Sequence, residues 1–131
     1  MIFGIGTDIL RLDRIAAAWD RHGDAIAARI LMPEEQAWFE RAKNKPRFLA
    51  MRFAAKEAIA KALGTGFAHG IWVRDVGSVP DARGQPQVIF SPRGEGVCHR
   101  MGVGDGFLTL TDEAGLVVAV AVLLRALGNE S

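Results

Sequence analysis

The chain is predicted to be an α+β protein in which an antiparallel sheet packs on one long helix. Three observations predict this. The first ten residues, Met1 to Leu10, alternate as a strand does. Residues 46 to 63 form a nearly unbroken run of strong helix formers with Ala54, Ala55, Ala58, Ala60 and Ala62 among them. Two apolar segments near 106 to 112 and 116 to 124 are separated by Asp112-Glu113-Ala114-Gly115, which reads as a hairpin.

Each element follows in order. In the first strand, residues 2 to 10, Phe3, Ile5 and Ile9 share a face with Thr7, and that apolar face is expected to meet the core. Gly4, Gly6 and Asp8 line the opposite face, nearly stripped of side chains until it presents a carboxylate. Asp8 or Thr7 as a simple cap of the next helix is the alternative. Helices are expected near 11 to 21, 23 to 31 and 34 to 43, with Pro33, Glu34 and Glu35 reading as a helix first turn. Pro46 starts the long helix, and Gly64 or Gly66 supplies the positive φ that ends it. Strands are expected near 72 to 79 and 86 to 90. Ser91 as N-cap and Pro92 at the first helical position then open a helix to about Arg100. Its amino end, with Arg93, is either a phosphate contact or a plain cap.

The closing strand, Leu116 to Leu124, is apolar on both faces. It is too short to span a bilayer, which takes about 20 residues of helix. The long helix can cover one face, and the other is expected to meet another subunit.

Composition sets limits. At 131 residues, with 50% hydrophobic residues and a formal net charge of +1, the chain reads as one domain over residues 1 to 131 with a real core. Its single cysteine, Cys98, can form no internal disulfide and reads as a buried thiol in a reducing compartment. The start of the chain lacks a basic region followed by an apolar stretch, so a cytoplasmic location is expected. Trp19, Trp38 and Trp72 are assigned to the core. With no tyrosine in the chain, nothing suggests a stacking platform for nucleic acid. His22, His69 and His99 are dispersed without metal-ligand spacing, His69 alone lying near the long helix's end.

The chemistry-bearing stretch is the long helix. Phe53, Glu57 and Lys61 recur at i, i+4 and i+8, so a carboxylate and an ammonium project from one face. An ordinary solvated ion pair is one reading. The charge map favours another: Lys43, Lys45, Lys56 and Lys61, all the lysines of the chain, fall here with Arg41, Arg47 and Arg52, and Glu57 is the only acid between Arg41 and Lys61. Such one-sided charge in a nearly neutral chain points to a local anion site. Together with Asp8, Glu57 suggests a hard-cation site, since magnesium is commonly held by one or two carboxylates, waters and substrate phosphates. Sequence spacing does not show that the two acids meet. Two rival classes remain. A non-catalytic module binding a nucleotide or an acidic protein would tolerate loss of Asp8. A small RNA-binding domain would need a broader basic surface and show steep salt dependence.

Gly4-Ile5-Gly6-Thr7-Asp8-Ile9, then Arg47 to Ala58 with its Lys56-Glu57-Ala58 core, then Lys61-Ala62-Leu63-Gly64-Thr65-Gly66, resembles holo-acyl-carrier-protein synthase, the short bacterial class of 4′-phosphopantetheinyl transferases. The likeness runs over nearly the whole chain, including the Gly84-Gln85-Pro86 turn and the closing strand pair. It implies transfer of phosphopantetheine from coenzyme A to a serine of apo acyl carrier protein in fatty acid biosynthesis, with release of adenosine 3′,5′-bisphosphate. It implies Asp8 and Glu57 as magnesium ligands and Lys61 beside the transferred phosphate. It further implies cofactor contacts at Arg52, Lys56, Lys61, Gly64, Gly84 and Pro86, and carrier-protein binding at Arg14. A homotrimer with active sites between subunits is implied too, with no nucleic-acid or membrane partner. For the serine proton, Glu57 acting through a water is the preferred general base and Asp8 the runner-up. The chain departs from the pattern at Phe107 and Thr111, where relatives often carry histidine, while Asp112 is retained.

Overall fold

The computed structural model describes residues 1–128. The chain runs β1 (Ile2–Arg11), α1 (Leu12–His22), α2 (Asp24–Ile30), α3 (Pro33–Arg41), α4 (Lys45–Leu63), β2 (Val76–Pro80), β3 (Pro86–Phe90), α5 (Pro92–Met101), β4 (Val103–Glu113) and β5 (Leu116–Arg125). The three-stranded sheet has the order β1-β5-β4 and is antiparallel throughout, and β2 with β3 forms a separate antiparallel pair. The α+β architecture, an antiparallel sheet on a long helix, is as the sequence predicts. Among the described residues no helix is long and apolar enough to cross a membrane.

α4 begins where the Asn44 side chain accepts the Arg47 backbone N–H at 3.1 Å, and it ends at Gly64, whose φ of 81° turns the chain out of the helix. Its interior of Ala50, Ala54, Ala55, Ala58 and Ala62 is fully or almost fully buried against the sheet. β5 lies at the sheet's centre, and Val117, Ala119, Ala121 and Leu123 along it face α4 with no exposed surface. The alternate residues, Val118, Val120, Val122 and Leu124, are half-buried on the outer face. The β4–β5 turn is closed by Ala114 and Gly115 at φ 53° and 78°, the positive pair that a tight hairpin requires.

The structure reverses one expectation. The apolar face of β1 is turned outward: Ile5 is 59% and Ile9 63% exposed. The glycine face meets α4 instead. A Cβ on Gly4 would overlap the Ala62 carbonyl oxygen, and one on Gly6 would overlap that of Ala58. Glycine on the strand and alanine on the helix allow the two backbones to touch, and this close contact replaces burial of the larger side chains. Two smaller corrections follow. Residues 73 to 75 form a 3-10 turn, so the strand expected from 72 begins at Val76. Its cause is Asp75, whose carboxylate accepts the Trp72 backbone N–H at 2.7 Å and so closes the turn. Trp38 and Trp72 are exposed rather than core, and Trp72 sits edge-on to Phe67. Cys98 is buried as expected, and that burial pushes its thiol up to about 11, far from a reactive thiolate.

Candidate functional site

Asp8 and Glu57 are brought together by the close seat of α4 on β1. Because Gly4 and Gly6 allow the helix to lie against the strand, the next residue on that face, Asp8, projects beside Glu57 and Lys61 one turn apart on α4. The two carboxylates line one cavity of about 520 Å³ with Leu10, Arg14, Ile15 and Phe53. Lys61 Nζ donates to the Thr7 carbonyl at 3.0 Å and to Asp8 Oδ1 at 3.3 Å, so the ammonium clips the helix to the strand at the cavity's edge. The helical Glu57–Lys61 pair expected from spacing thus gives way to a contact across elements. Partial burial and the neighbouring Asp8 charge raise the Glu57 carboxyl above its ordinary value, with Lys61 opposing. Such repulsion between two acids is relieved by a cation placed between them.

The donor set suits magnesium. Among the described residues no group of three or more His, Cys, Asp and Glu could hold a metal. A dedicated all-protein cage is therefore not built here, and two carboxylates on one cavity wall leave the remaining positions to water and phosphate oxygens, the usual magnesium arrangement.

The concentrated basic charge is largely taken up within the chain. Lys45 Nζ donates to the carbonyls of Phe39, Glu40 and Ala42, closing the end of α3. Arg47 makes two hydrogen bonds, of 2.9 and 2.8 Å, to the Asp112 carboxylate and ties the start of α4 to β4. Arg52 lies over the Phe48 ring, its Nε 3.9 Å from Glu35 Oε2 and without a hydrogen-bond partner. Lys56, expected at the cofactor site, is fully buried and donates to Glu35 Oε1 at 2.6 Å and the Val76 carbonyl at 2.7 Å. Burial lowers the Lys56 ammonium from its usual range while Glu35 pushes it back up. In this chain the Lys56 ammonium faces inward, away from the Asp8–Glu57 cavity. Arg93 likewise is held by Asp75, which also accepts from Ser91, so the start of α5 carries the plain Ser91 cap on Gly94 N–H.

The remaining expected positions lie apart. Gly84 and Pro86 line a second cleft, of about 800 Å³, between the β2–β3 turn and β4, together with Arg83, Gln87, Phe107 and Thr109. Phe107 is 62% exposed there. Gly64 is exposed at the end of α4, and Arg14 is exposed on α1 beside the carboxylates. Within one chain, then, Asp8, Glu57 and Arg14 line one cavity, with Lys61 bonded to Asp8 beside it, and Gly84 and Pro86 line another.

Sequence reading missed Glu35. This carboxylate is fully buried and accepts from Met32 N–H at 2.9 Å, Lys56 Nζ at 2.6 Å and Ser78 N–H at 3.0 Å. In sequence it was one of two acids in a helix first turn. Only its place three residues after the helix-preceding Met32 hinted at an inward-turned capping carboxylate.

The family model for the 4′-phosphopantetheinyl transferase superfamily matches residues 4–121. A holo-(acyl-carrier-protein) synthase of Halorhodospira halophila is 45% identical over 124 residues, covering 95% of this chain and 98% of that one. The crystal structure of holo-(acyl-carrier-protein) synthase from Neisseria meningitidis superposes with a TM-score of 0.90 at 41% identity, covering 95% of this chain and 100% of that one. A holo-(acyl-carrier-protein) synthase from Bacillus anthracis, in complex with CoA (3′,5′-ADP), superposes with a TM-score of 0.77 at 33% identity, covering 96% and 98%.

Proposed function

This chain belongs to the 4′-phosphopantetheinyl transferase superfamily, and from that premise we propose that it transfers the phosphopantetheine arm of coenzyme A to a serine of apo acyl carrier protein, releasing adenosine 3′,5′-bisphosphate. The observation that carries the proposal is the pairing of Asp8 and Glu57 at one cavity with Lys61 on its rim, on a fold shared with the coenzyme-bound relative. Transfer of this kind asks the protein mainly to position the reactants and stabilise charge, and these three residues are suited to both tasks.

Asp8 and Glu57 are the residues that would hold magnesium. When bound, the ion supplies Lewis-acid polarisation of the pyrophosphate. Lys61 Nζ, half exposed beside Asp8, is placed to donate to a phosphate oxygen and to balance charge on the departing bisphosphate. For the serine proton, Glu57 acting through a water is the preferred general base of this reading, and Asp8 is the alternative. Gly64, exposed at the end of α4, and Gly84, Pro86 and Arg52 are the further coenzyme contacts of this reading. Lys56 serves it from behind, through the helix.

The reading includes a homotrimer acting in the cytoplasm for fatty acid biosynthesis, each chain one transferase domain. Ile5, Ile9, Phe107 and the outer valines of β5 form an apolar face uncovered within the chain, and it is on this face that the reading seats a neighbouring copy. Sedimentation run beside the assay at nanomolar protein checks this: activity should fall as the assembly dissociates, and a fully active monomer overturns it.

Mass measurement on apo acyl carrier protein, incubated with the chain, coenzyme A and magnesium, tests the function. Gain of one phosphopantetheine unit is expected. An unchanged mass favours a binding-only module. Arg14→Glu is expected to weaken use of the acidic carrier protein about tenfold at low salt, less so at high salt, with coenzyme affinity unchanged. Separate titration of the two substrates checks it, and a loss of coenzyme binding instead would move Arg14 to the nucleotide.

A further inference from the structure

α4 is gripped on two sides. On one, Ala58 and Ala62 rest on Gly6 and Gly4 of β1, and on the other Lys56 enters a closed polar ring built around Glu35. In that ring Glu35 Oε1 accepts from Met32 N–H and Lys56 Nζ, Oε2 accepts from Ser78 N–H, and Lys56 donates onward to the Val76 carbonyl. The ring therefore joins α3, α4 and β2 through one carboxylate with no solvent access. β2 closes over it only because Gly77 has no side chain: a Cβ there would stand 2.7 Å from Met32 Sδ and 2.8 Å from Glu35 Cδ.

Lys56 and Glu57 are consecutive on α4, about 100° apart around its axis. Whatever fixes the direction of Lys56 fixes the direction of Glu57. Alanine packing alone is smooth and would tolerate a small roll of the helix, whereas a 2.6 Å charge-assisted bond and a 2.7 Å bond to a strand carbonyl would not. We propose that Glu35 is a positioning residue of the site: through Lys56 it sets the rotation of α4 and so holds Glu57 opposite Asp8 at the separation that a divalent cation needs.

This deepens the reading of Asp8 and Glu57 as a cation site and rests on it. Mn2+ binding, followed by electron paramagnetic resonance on the full chain without substrates, separates the two. Parent protein against Asp8→Ala tests the site itself, and equal Mn2+ affinity in those two would overturn the site, not the role of Glu35. Glu35→Gln removes the charge that holds Lys56, and Mn2+ affinity is expected to fall at least tenfold. The double variant Glu35→Leu with Lys56→Met removes both charges of the buried pair and conserves net charge; it also takes from Arg52 its carboxylate neighbour at 3.9 Å and frees the Met32 and Ser78 N–H groups, so a thermal melt accompanies it and Mn2+ binding is read below the transition. It too is expected to bind Mn2+ at least tenfold more weakly, because the rotational anchor is gone. Parental Mn2+ affinity in the folded double variant overturns the proposal and leaves the ring a stability element only. A loss confined to the single variant overturns it as well, since that loss would come from the field of Glu35 and not from geometry.

Discussion

Glu57→Ala and Asp8→Ala should each lower phosphopantetheine transfer by about a thousandfold or more while the fold survives. Lewis-acid stabilisation by a bound ion is worth several kcal/mol, and each 1.36 kcal/mol is about tenfold in rate. Neither side chain is a core element. Asp8 is partly exposed and contributes one 3.3 Å contact to Lys61, and Glu57 carries a carboxyl already raised by its surroundings, so its removal relieves repulsion. Melting temperature should therefore change little, or rise for Glu57→Ala. The measurement is single-turnover transfer at several magnesium concentrations, with a thermal melt on each variant. Near-normal turnover at low magnesium in either variant would remove the two-carboxylate site. A binding-only anion module would gain coenzyme affinity on losing an acid, so coenzyme titration of Asp8→Ala distinguishes the rival.

Much of this site could be read from the chain, and its unread parts share a cause. Asp8, Glu57 and Lys61 were visible because local rules apply to them: period two on a strand and period 3.6 on a helix each place a polar group on a defined face. Their meeting was not visible, since it depends on how closely α4 approaches β1. The basic cluster was read as free charge because Lys45, Arg47 and Lys56 find their partners at Phe39, Asp112 and Glu35, on elements that no local pattern links to them. Glu35 illustrates the limit best. It sits in a first turn rich in acids, where exposure is the ordinary outcome, and its inward turn is completed by Lys56 from 21 residues away and the Ser78 N–H from 43 away.

The face of β1 was misread for a different reason. Alternation shows that two faces differ, and the usual rule then sends the apolar one inward. Here the smaller face goes inward, because the face of α4 that covers it presents Ala58 and Ala62, and glycine against alanine lets the backbones come into contact along the helix. The exposed Ile5 and Ile9 are left for a surface larger than the single chain offers.

That inversion makes Gly6→Ala a severely damaging substitution, the tightest against helix backbone among the described glycines. The new Cβ would overlap the Ala58 carbonyl oxygen and lie 2.6 Å from the Ala62 nitrogen, both helix backbone atoms that cannot swing aside. The strand could not turn the methyl away either, since a one-residue slip would send Asp8 outward and break the β1–β5 register from Gly4 to Arg11. Overpacking usually costs about 1 to 3 kcal/mol, and backbone against backbone belongs at or beyond the upper end. For a chain of this size that is a drop of about 10 °C or more in melting temperature. Where the variant still folds, α4 must lift from β1, carrying Glu57 and Lys61 away from Asp8. Mn2+ affinity and transfer should then fall together below the melting transition. Ile5→Ala, on the outward face of the same strand, should leave the melting temperature of the isolated chain within about 3 °C of the parent, because its side chain is mostly in solvent. If Gly6→Ala melted like the parent and bound Mn2+ equally well, the close seat of α4 on the glycine face would be wrong, and with it the reason Asp8 and Glu57 share a cavity.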